Sequence, residues 1–473
     1  MRKTKIICTL GPASSDYETI KAMVQAGMDV ARLNFSHGEY STHEKNIKIL
    51  QEVSTELNRP IAILQDLQGP KIRVGEMKEG SILEVGQKTT ITMNEVLGTP
   101  IKFSSSYKGL AADVNEGDTI LIDDGLIHIQ VDKVAGSEIL GTVIHGGVLK
   151  SHKGINLANS SISTPALTQK DINDLEFGLT QDIDYVALSF VREPSDIKEV
   201  KGSIRRKEKD THVVAKIERH EAVEDFENIV KVADVIMVAR GDLGVEMPLD
   251  QVPIIQKSII KECRSHIKPV ITATQMLESM IKNPRPTRAE VSDIANAIID
   301  GTDAIMLSGE TAVGEFAVEA VRTMARIAET VEAQLISSSK YLEGTREQEI
   351  SNSVGHAACQ LGQDLKAKAI ICFTEHGFTA RILSKYRQNI PVIAVTPSAA
   401  VQRRLALYWG VQSLLIPQAS STDEMIALVE KAALQYGLVA KNDIVVITAG
   451  LPLPFTGITN LIKVHRIGEM GAI

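Results

Sequence analysis

From the N-terminus to Leu307, short apolar runs alternate with amphipathic stretches of helical length. The runs fall at Lys5–Thr9, Val30–Asn34, Ile61–Asp66, Tyr185–Phe190, Val213–Ile217, Val235–Ala239, Val270–Ala273 and Ala304–Leu307. Most are continuous rather than alternating, the pattern of parallel strands covered on both faces. Between them, Asp16–Ala26, His43–Leu57, Asp171–Leu179, Ser195–Lys207, Ala222–Val232, Val252–His266 and Arg288–Ile299 predict helices. Pro194, Pro248 and Pro286 stand near the predicted helix starts, where a missing N–H is harmless. Eight strand–helix units in series predict a (β/α)₈ TIM barrel.

The series is interrupted once. From Pro70 to about Ala166 the runs Ile82–Glu84, Thr89–Met93 and Thr119–Val131 alternate, with turns at Glu116-Gly117-Asp118 and Asp124-Gly125. That pattern predicts antiparallel strands in a small β-barrel lid inserted at the C-terminal end of the third barrel strand. After the eighth unit come a helix, Phe316–Glu332, and a polar break, Ser337-Ser338-Ser339-Lys340. The later runs Ala369–Phe373, Val392–Val395, Ser413–Ile416 and Ile444–Thr448, with helices between them, predict a doubly wound α/β domain. The expected division is therefore 1–69 with 167–338 for the barrel, 70–166 for the lid and 339–473 for the C-terminal domain.

Composition narrows the function classes. A chain of 473 residues exceeds one ordinary domain. A net charge of −8 argues against a broad nucleic-acid surface, though not against a local anion site. Cys8, Cys263, Cys359 and Cys372 are scattered with no Cys-x-x-Cys spacing, which predicts reduced thiols rather than a disulfide framework or zinc site. Met1 is followed by a basic tetrad rather than a signal-peptide core. No apolar run reaches membrane-spanning length. The expectation is a cytoplasmic enzyme with neither nucleic-acid nor membrane partners.

Side chains just past the strand C-termini converge on one mouth of such a barrel. Here these are Arg32, Asn34, Ser36 and His37; Asp66, followed by Lys71 and Arg73; Ser189; Lys216 and Glu218; Arg240, Gly241 and Asp242; Thr272, Thr274 and Gln275; and Ser308 to Thr311. Arg32, Arg73 and Lys216 thus face Asp66, Glu218 and Asp242. Mixed charge of this kind suits an anionic substrate with a hard metal, and Glu218 with Asp242 is the best pair for Mg²⁺, which takes few carboxylates plus water and substrate oxygens. Lys216 lies two residues before Glu218, on the same side of a strand. There it can steady a transferring phosphoryl group or a developing enolate. Taken singly, a Lys-x-Glu is ordinarily a surface pair and an Arg-Gly-Asp a turn; their joint occurrence at consecutive strand ends carries the reading. Neither a P-loop nor a Gly-x-Gly-x-x-Gly fingerprint is present. On the residues alone, the site performs Mg²⁺-assisted chemistry on a small phosphorylated or carboxylated substrate.

Longer strings add a resemblance. Val270-Ile-Thr-Ala-Thr-Gln-Met-Leu-Glu-Ser-Met280, Arg285-Pro-Thr-Arg-Ala-Glu290, Ala215-Lys-Ile-Glu218, Met237-Val-Ala-Arg-Gly-Asp-Leu-Gly-Val-Glu246, Arg32-Leu-Asn-Phe-Ser-His-Gly38 and Ile305-Met-Leu-Ser-Gly-Glu-Thr-Ala312 resemble the pyruvate kinase family. The likeness runs over the whole chain. It implies transfer of a phosphoryl group from phosphoenolpyruvate to ADP, the last step of glycolysis, in a cytoplasmic homotetramer. It implies Mg²⁺, or Mn²⁺, on Glu218 and Asp242. Lys216 is then expected against the phosphoryl group and enolate oxygen, and Arg32 on the phosphoryl group. Gly241, Asp242 and Thr274 are expected at the substrate carboxylate, with Thr274 also on the proton route. Asn34, His37, Arg73 and Lys153 are expected toward the nucleotide. A Mg²⁺-dependent lyase or aldolase making a pyruvate enolate on the same barrel type is the alternative; it shares the acids but needs no nucleotide contacts.

Two stretches depart from the commonest family pattern. Many members read Asp-Thr-Lys-Gly-Pro-Glu-Ile-Arg and need K⁺, held by groups matching Asn34, Ser36, Asp66 and the Leu67 carbonyl. This chain reads Asp66-Leu-Gln-Gly-Pro-Lys71-Ile-Arg73, resembling the branch that works without K⁺, with the Lys71 ammonium in place of the ion. In the C-terminal domain, Thr374-Glu-His376-Gly-Phe-Thr379-Ala380 resembles an effector phosphate loop before a helix expected at Ala380–Tyr386, and Leu451–Asn460 resembles its cover, stiffened by Pro452, Pro454 and Phe455. A monophosphate such as ribose 5-phosphate or AMP is expected there, since Glu375 repels further negative charge. The extra C-terminal phosphohistidine-like domain of some bacterial members is not expected.

Overall fold

Eight parallel strands close on themselves in the computed structural model, which describes residues 2–158, 165–335, 349–451 and 458–469. They are Lys5–Leu10, Val30–Asn34, Ala62–Asp66, Tyr185–Leu188, His212–Ile217, Val235–Ala239, Val270–Ala273 and Ala304–Leu307. The first pairs with both the second and the eighth, which completes the barrel. Strand alternation sorts the apolar side chains into two layers. Ile7, Val30, Leu64, Tyr185, Val214 and Met237 pack in one cluster. Ile6, Ala31, Ile63, Val186, Val213 and Ile236 pack in another, with helix residues such as Ile20, Met23 and Ile197. Both sides of each strand are therefore apolar, as the unbroken runs predict.

The helix boundaries follow local chemistry. Asp16 caps Tyr17–Ala26 by accepting from the Thr19 N–H, and Thr287 with Glu290 forms a capping box at the start of Arg288–Asp300. Pro194 opens Pro194–Arg206 as expected. Pro248 does not start a helix: Val252–Ser265 begins later, with Pro253 in its first turn.

The insertion carries a seven-stranded sheet that curls as a half barrel, ordered Ile72–Arg73, Gly154–Ala158, Thr119–Ile122, Ile127–Ala135, Glu138–His145, Lys88–Thr92 and Lys102–Ser104. The run Thr119–Val131 is two strands, Thr119–Ile122 and Ile127–Ala135, divided at the expected Asp124-Gly125 turn. Asp123, Asp124 and Gly125 break it, all at positive φ (54°, 53° and 82°). Ile91, Phe103, Ile120, Ile129 and Leu157 form this unit's own core.

The C-terminal sheet runs Val411–Leu415, Val392–Thr396, Ala369–Phe373, Ile444–Ala449, Leu461–Arg466. The first four are parallel, as in a doubly wound fold; the last pairs antiparallel with Ile444–Ala449 and was not among the predicted strands. The helix after the Thr374 loop spans Phe378–Lys385, starting two residues earlier than expected. Side chains from this unit join the cluster that contains the barrel residues Ile7 and Tyr185, and the Tyr185 hydroxyl donates to the Arg404 carbonyl at 2.7 Å. The polar break at Ser337–Lys340 and the cover residues Pro452, Pro454 and Phe455 lie outside the described residues.

The lid leaves the barrel at Gly69, whose φ is +70° and whose N–H is held by Asp171 at 3.0 Å. A Cβ there would lie 2.9 Å from both Phe190 Cδ2 and Ser189 Cβ. Gly80, also at positive φ, has nothing within 4 Å of its would-be Cβ. Gly69→Ala is therefore expected to cost roughly 2–4 kcal/mol, from left-handed strain plus overpacking, and Gly80→Ala only about 1–2 kcal/mol. Urea unfolding of the two variants side by side checks this; equal losses would show that packing at the hinge is irrelevant.

Candidate active site

Asp66 ends the third barrel strand and is buried. Its register beside Asn34 and Ala187 places its carboxylate between two cations. Arg32 Nε donates to Oδ2 at 2.6 Å, and Lys216 Nζ approaches Oδ1 at 3.3 Å. Arg32 also reaches the Thr9 hydroxyl at 2.9 Å. Lys216 donates to Ser189 Oγ at 2.7 Å and pairs with Glu218 Oε1 at 2.9 Å. Ser189 in turn donates to the Leu67 carbonyl at 2.8 Å. Glu218 Oε2 accepts the backbone N–H of Phe190 at 2.8 Å. Phe190 sits at φ +56°, a conformation uncommon for a bulky residue, and this turn out of the strand aims its N–H at the carboxylate.

Burial alone would raise Asp66, but Lys216 and Arg32 outweigh it and hold the carboxyl below its usual range. Burial likewise works against the Lys216 charge, and Asp66 with Glu218 overturns it, so the ammonium is held protonated more firmly than a free lysine. Glu218 is pushed up, first by burial; Lys216 pulls it down and Asp242 adds to the rise. The Asp242 charge is thus felt at Glu218.

Asp242 lies in the short helix Arg240–Glu246. Its Oδ1 is 3.7 Å from Lys71 Nζ, and both side chains are about a third exposed, at 30% and 29%. The Gly241 N–H donates to Thr274 Oγ1 at 2.9 Å, and that hydroxyl donates to the Ala273 carbonyl at 2.7 Å. Thr274 has φ +69°. Arg240 clamps the same strand end, bonding the Thr274 carbonyl at 2.7 Å and Asp293 at 2.7 Å. Buried Glu310 braces the seventh and eighth strand ends through the N–H groups of Leu277 and Ser308. Thr272, expected near the mouth, is buried with its hydroxyl on Thr302 instead.

Arg32, Asp66, Lys216 and Glu218 thus form one bonded network, with Asp242, Gly241 and Thr274 beside it. Arg73 and Lys153 stand apart, on the lid. Arg73 pairs in register with Gly154, the residue after Lys153; Arg73 donates to the His152 carbonyl at 3.0 Å and Lys153 pairs with Asp123 at 2.8 Å. Asn34 Oδ1 accepts the Ser36 N–H at 3.1 Å, and His37 is exposed. In the C-terminal unit Thr374 Oγ1 accepts the Gly377 N–H at 2.9 Å and Thr379 meets Thr459 at 2.9 Å, both buried, while His376 is exposed.

A second acidic group, His220, Glu221 and Glu246, has ligand atoms within 4.8 Å of one another and could hold a divalent ion. Arg219 already bonds Glu221 at 3.1 Å and lies 3.7 Å from Glu246, so it supplies counter-charge there. Sequence reasoning named Ser189 and Arg240 as strand-end residues without giving them tasks. It had no signal for the Phe190 N–H or for the lid residue Asn156, whose amide is 3.5 Å from Glu246.

The chain matches the family described as pyruvate kinase, barrel domain, over residues 1–321, and the pyruvate kinase alpha/beta domain over residues 352–465. It is 48% identical over 476 residues to a pyruvate kinase of Geobacillus stearothermophilus, covering 99% of this chain and 81% of that protein. To a pyruvate kinase of Clostridium acetobutylicum it is 47% identical, covering 99% of this chain and 100% of that one. A solved pyruvate kinase structure from Cryptosporidium parvum superposes with a TM-score of 0.91 at 34% identity, over 98% of this chain and 96% of the other.

The network makes a stability claim. Asp66→Asn leaves Arg32 and Lys216 without their shared buried counter-charge, and breaking such a pair costs about 3–5 kcal/mol. Because the folded carboxyl is depressed, its stabilisation is present above the ordinary Asp value of 3.8 and is lost as pH falls through the folded value. The difference between wild type and Asp66→Asn in denaturant titrations should therefore be flat from neutrality down to about pH 4 and shrink only in stronger acid. A gap already closing near pH 6 would show that Asp66 is not the group responsible.

Proposed function

The chain belongs to the pyruvate kinase family and is an enzyme of that family, and from that premise we propose that it moves the phosphoryl group of phosphoenolpyruvate to ADP at the mouth built around Lys216. The observation that carries the reading is the buried Arg32–Asp66–Lys216–Glu218 network with Asp242 beside it. Phosphoryl transfer asks for positioning and charge neutralisation more than covalent help, and that is what these groups offer. Glu218 and Asp242 are the residues to hold Mg²⁺, or Mn²⁺; bound there, the ion supplies positive charge to substrate oxygens. Arg32 and Lys216 face the transferring group, and Lys216, fixed by three acceptors, stabilises negative charge on the enolate oxygen without moving. The Gly241 N–H and Thr274 hydroxyl are bonded to each other. A substrate carboxylate takes the N–H by exchanging one partner for another, which frees Thr274 for the proton route to the enolate carbon. Asn34, His37, Arg73 and Lys153 serve the nucleotide, Arg73 and Lys153 from the lid. A lyase making the same enolate would leave those two lid cations without a task.

The finer readings belong to the same proposal. The division at 1–69 with 167–338, 70–166 and 339–473 gives barrel, lid and C-terminal domain. The enzyme is a cytoplasmic homotetramer; its four cysteines are free and buried, and no described helix is long and apolar enough to cross a membrane. A phosphorylated effector binds at Thr374 and His376, ahead of the Phe378–Lys385 helix, and at Thr379 in its first turn, where the helix N-terminus favours an anion.

The enzyme needs no K⁺. Lys71 supplies a tethered positive charge beside Asp242. The groups of the monovalent-cation position have protein donors already: the Leu67 carbonyl accepts from Ser189, Asn34 from the Ser36 N–H, and Asp66 from Arg32 and Lys216. Lysine for glutamate reverses the local charge, so a diffusing cation is repelled.

Two measurements test this. In a coupled assay of ADP-dependent pyruvate formation, with tetramethylammonium as the only monovalent cation, full activity is expected without K⁺. Lys71→Glu with Leu67→Thr and Gln68→Lys should be nearly inactive there and partly rescued by K⁺. Strong K⁺ activation of the wild type would refute the tethered-charge reading. In the same assay Lys216→Met should lower kcat by roughly 10³-fold, as for a lost charge-stabilising donor, with little change in KM for phosphoenolpyruvate. A rise in KM alone would make Lys216 a ground-state binding residue.

A further inference from the structure

The outer face of the lid sheet carries two imidazoles that meet. His128 is the second residue of the strand Ile127–Ala135, and His145 ends the neighbouring antiparallel strand Glu138–His145. Strict alternation would not bring them together. Ile129 and Val143 are buried and stand opposite each other, so Ile144 should be the residue facing His128. A register shift between Val143 and His145 admits one extra residue and sets His145 opposite His128 instead. Bulges of this kind re-aim a side chain. The outcome here is a pair of rings on the exposed face of the sheet, with their Nδ1 atoms 3.0 Å apart.

The tautomer of one ring is fixed by its other nitrogen. His128 Nε2 lies 2.8 Å from the Gly125 carbonyl oxygen, which can only accept, so Nε2 carries the hydrogen. In the neutral ring, Nδ1 is then a bare acceptor beside His145 Nδ1. A histidine whose second nitrogen donates to a backbone carbonyl is the usual form of a metal-ligating histidine. The two rings also meet poorly as a hydrogen bond. Laid end to end with 3.0 Å between nitrogens, their centres would stand about 5.3 Å apart. They stand 4.5 Å apart, with their planes at 88°, so the rings meet at an angle. Two nitrogens held at a right angle by one ion, each about 2.1 Å from it, lie about 3.0 Å apart.

We propose that His128 and His145 are the protein ligands of a divalent late transition-metal ion on the lid, of the Ni²⁺ or Cu²⁺ class, with water completing its shell. Imidazole nitrogen suits these ions, whereas Mg²⁺ takes oxygen. The site therefore differs in chemistry from the Glu218–Asp242 pair, and it rests on neither the catalytic nor the effector assignment. The right-angle spacing favours tetragonal or octahedral ions over tetrahedral Zn²⁺. Binding asks only that His145 take its other neutral tautomer, with the hydrogen on Nε2 and the Nδ1 lone pair on the ion. The ion cross-links two strand ends behind the turn Asp123–Gly125. That turn faces the barrel: a Cβ on Gly125 would stand 3.9 Å from Val245 Cγ1 in the Arg240–Glu246 helix, and Asp123 pairs with Lys153 at 2.8 Å.

The full-length chain, free of any affinity tag and stripped with a chelator, is titrated with NiCl₂ by calorimetry in excess Mg²⁺, so that oxygen-rich sites are already filled. A saturable Ni²⁺ site is expected, with Zn²⁺ binding more weakly. His128→Gln and His145→Gln should each weaken Ni²⁺ binding about tenfold or more, as for the loss of one arm of a chelate. His220→Gln and Asp242→Asn should leave it unchanged. A second readout needs no variant: electron paramagnetic resonance of the wild type with one equivalent of Cu²⁺ should show two nitrogen ligands.

Several outcomes overturn the proposal. Ni²⁺ affinity that survives in both lid variants removes the site. Loss in one lid variant, with the other at the wild-type value, leaves a lone imidazole and no chelate. Loss in His220→Gln but in neither lid variant gives the ion to the His220–Glu221–Glu246 group, and loss confined to Asp242→Asn gives it to the barrel mouth. Zn²⁺ binding tighter than Ni²⁺ excludes the right-angle geometry.

Discussion

The carboxylate of Asp66 is the fixed point of the barrel mouth. Putting an ion in a nearly dry position costs several kcal/mol unless its partners are well placed. Here they are fixed by backbone register: Asn34 and Ala187 lie opposite Asp66 on its two neighbouring strands. Arg32, on the second strand, then comes from one side and Lys216, on the fifth, from the other. Lys216 is held by Asp66, Ser189 and Glu218 together. A lysine so constrained has already lost the rotamer freedom that a flexible side chain would lose on meeting substrate, the condition for effective electrostatic catalysis. Glu218 is fixed in turn by the Phe190 N–H, so the strained turn at Phe190 works through a carboxylate rather than through its own ring.

The lid depends on the same mouth. It leaves the barrel at Gly69, tied to Asp171 in the capping box that opens the Gln169–Thr180 helix. Its polar contacts with the barrel fall on the Arg240–Glu246 helix: Lys71 reaches Asp242, and Asn156 reaches Glu246. Glu246 is raised first by burial, while Arg219 and His220 pull it back. The lid therefore rests on an acid whose counter-charge the barrel has already provided, and a neutral amide suffices for the contact.

The barrel strands were legible because burial on both faces makes each a continuous apolar run, and the strand ends then marked the mouth. The missed strand, Leu461–Arg466, is an edge strand carrying Lys463, His465 and Arg466, with the burial pattern of a half-exposed ribbon; its sequence holds too little apolar signal to read. At the site, residue types and spacing were enough to gather Arg32, Asp66, Lys216 and Glu218. Spacing could not show which oxygen each cation would meet. The partners of Lys71 and Thr274 come from segments far apart in the chain. Only the closure of the barrel and the seating of the lid bring them together.

The Lys71–Asp242 contact is informative because it is weak. Both groups are about a third exposed, and at 3.7 Å they form a loose pair; such contacts contribute about 0–1 kcal/mol. A tight buried pair would compete with any divalent cation for Asp242. A loose one exchanges Lys71 for a metal at little cost. The ammonium cannot then diffuse away, because it is anchored next to the short lid strand Ile72–Arg73, at the edge of the mouth. A monovalent ion bound from solution must be paid for in translational entropy each time the site fills; a side chain carries that cost once, in folding. If Asp242 holds the metal as proposed, the exposure that makes Lys71 a poor structural ion pair would let that lysine pair with Asp242 before the metal binds and keep a positive charge nearby afterwards.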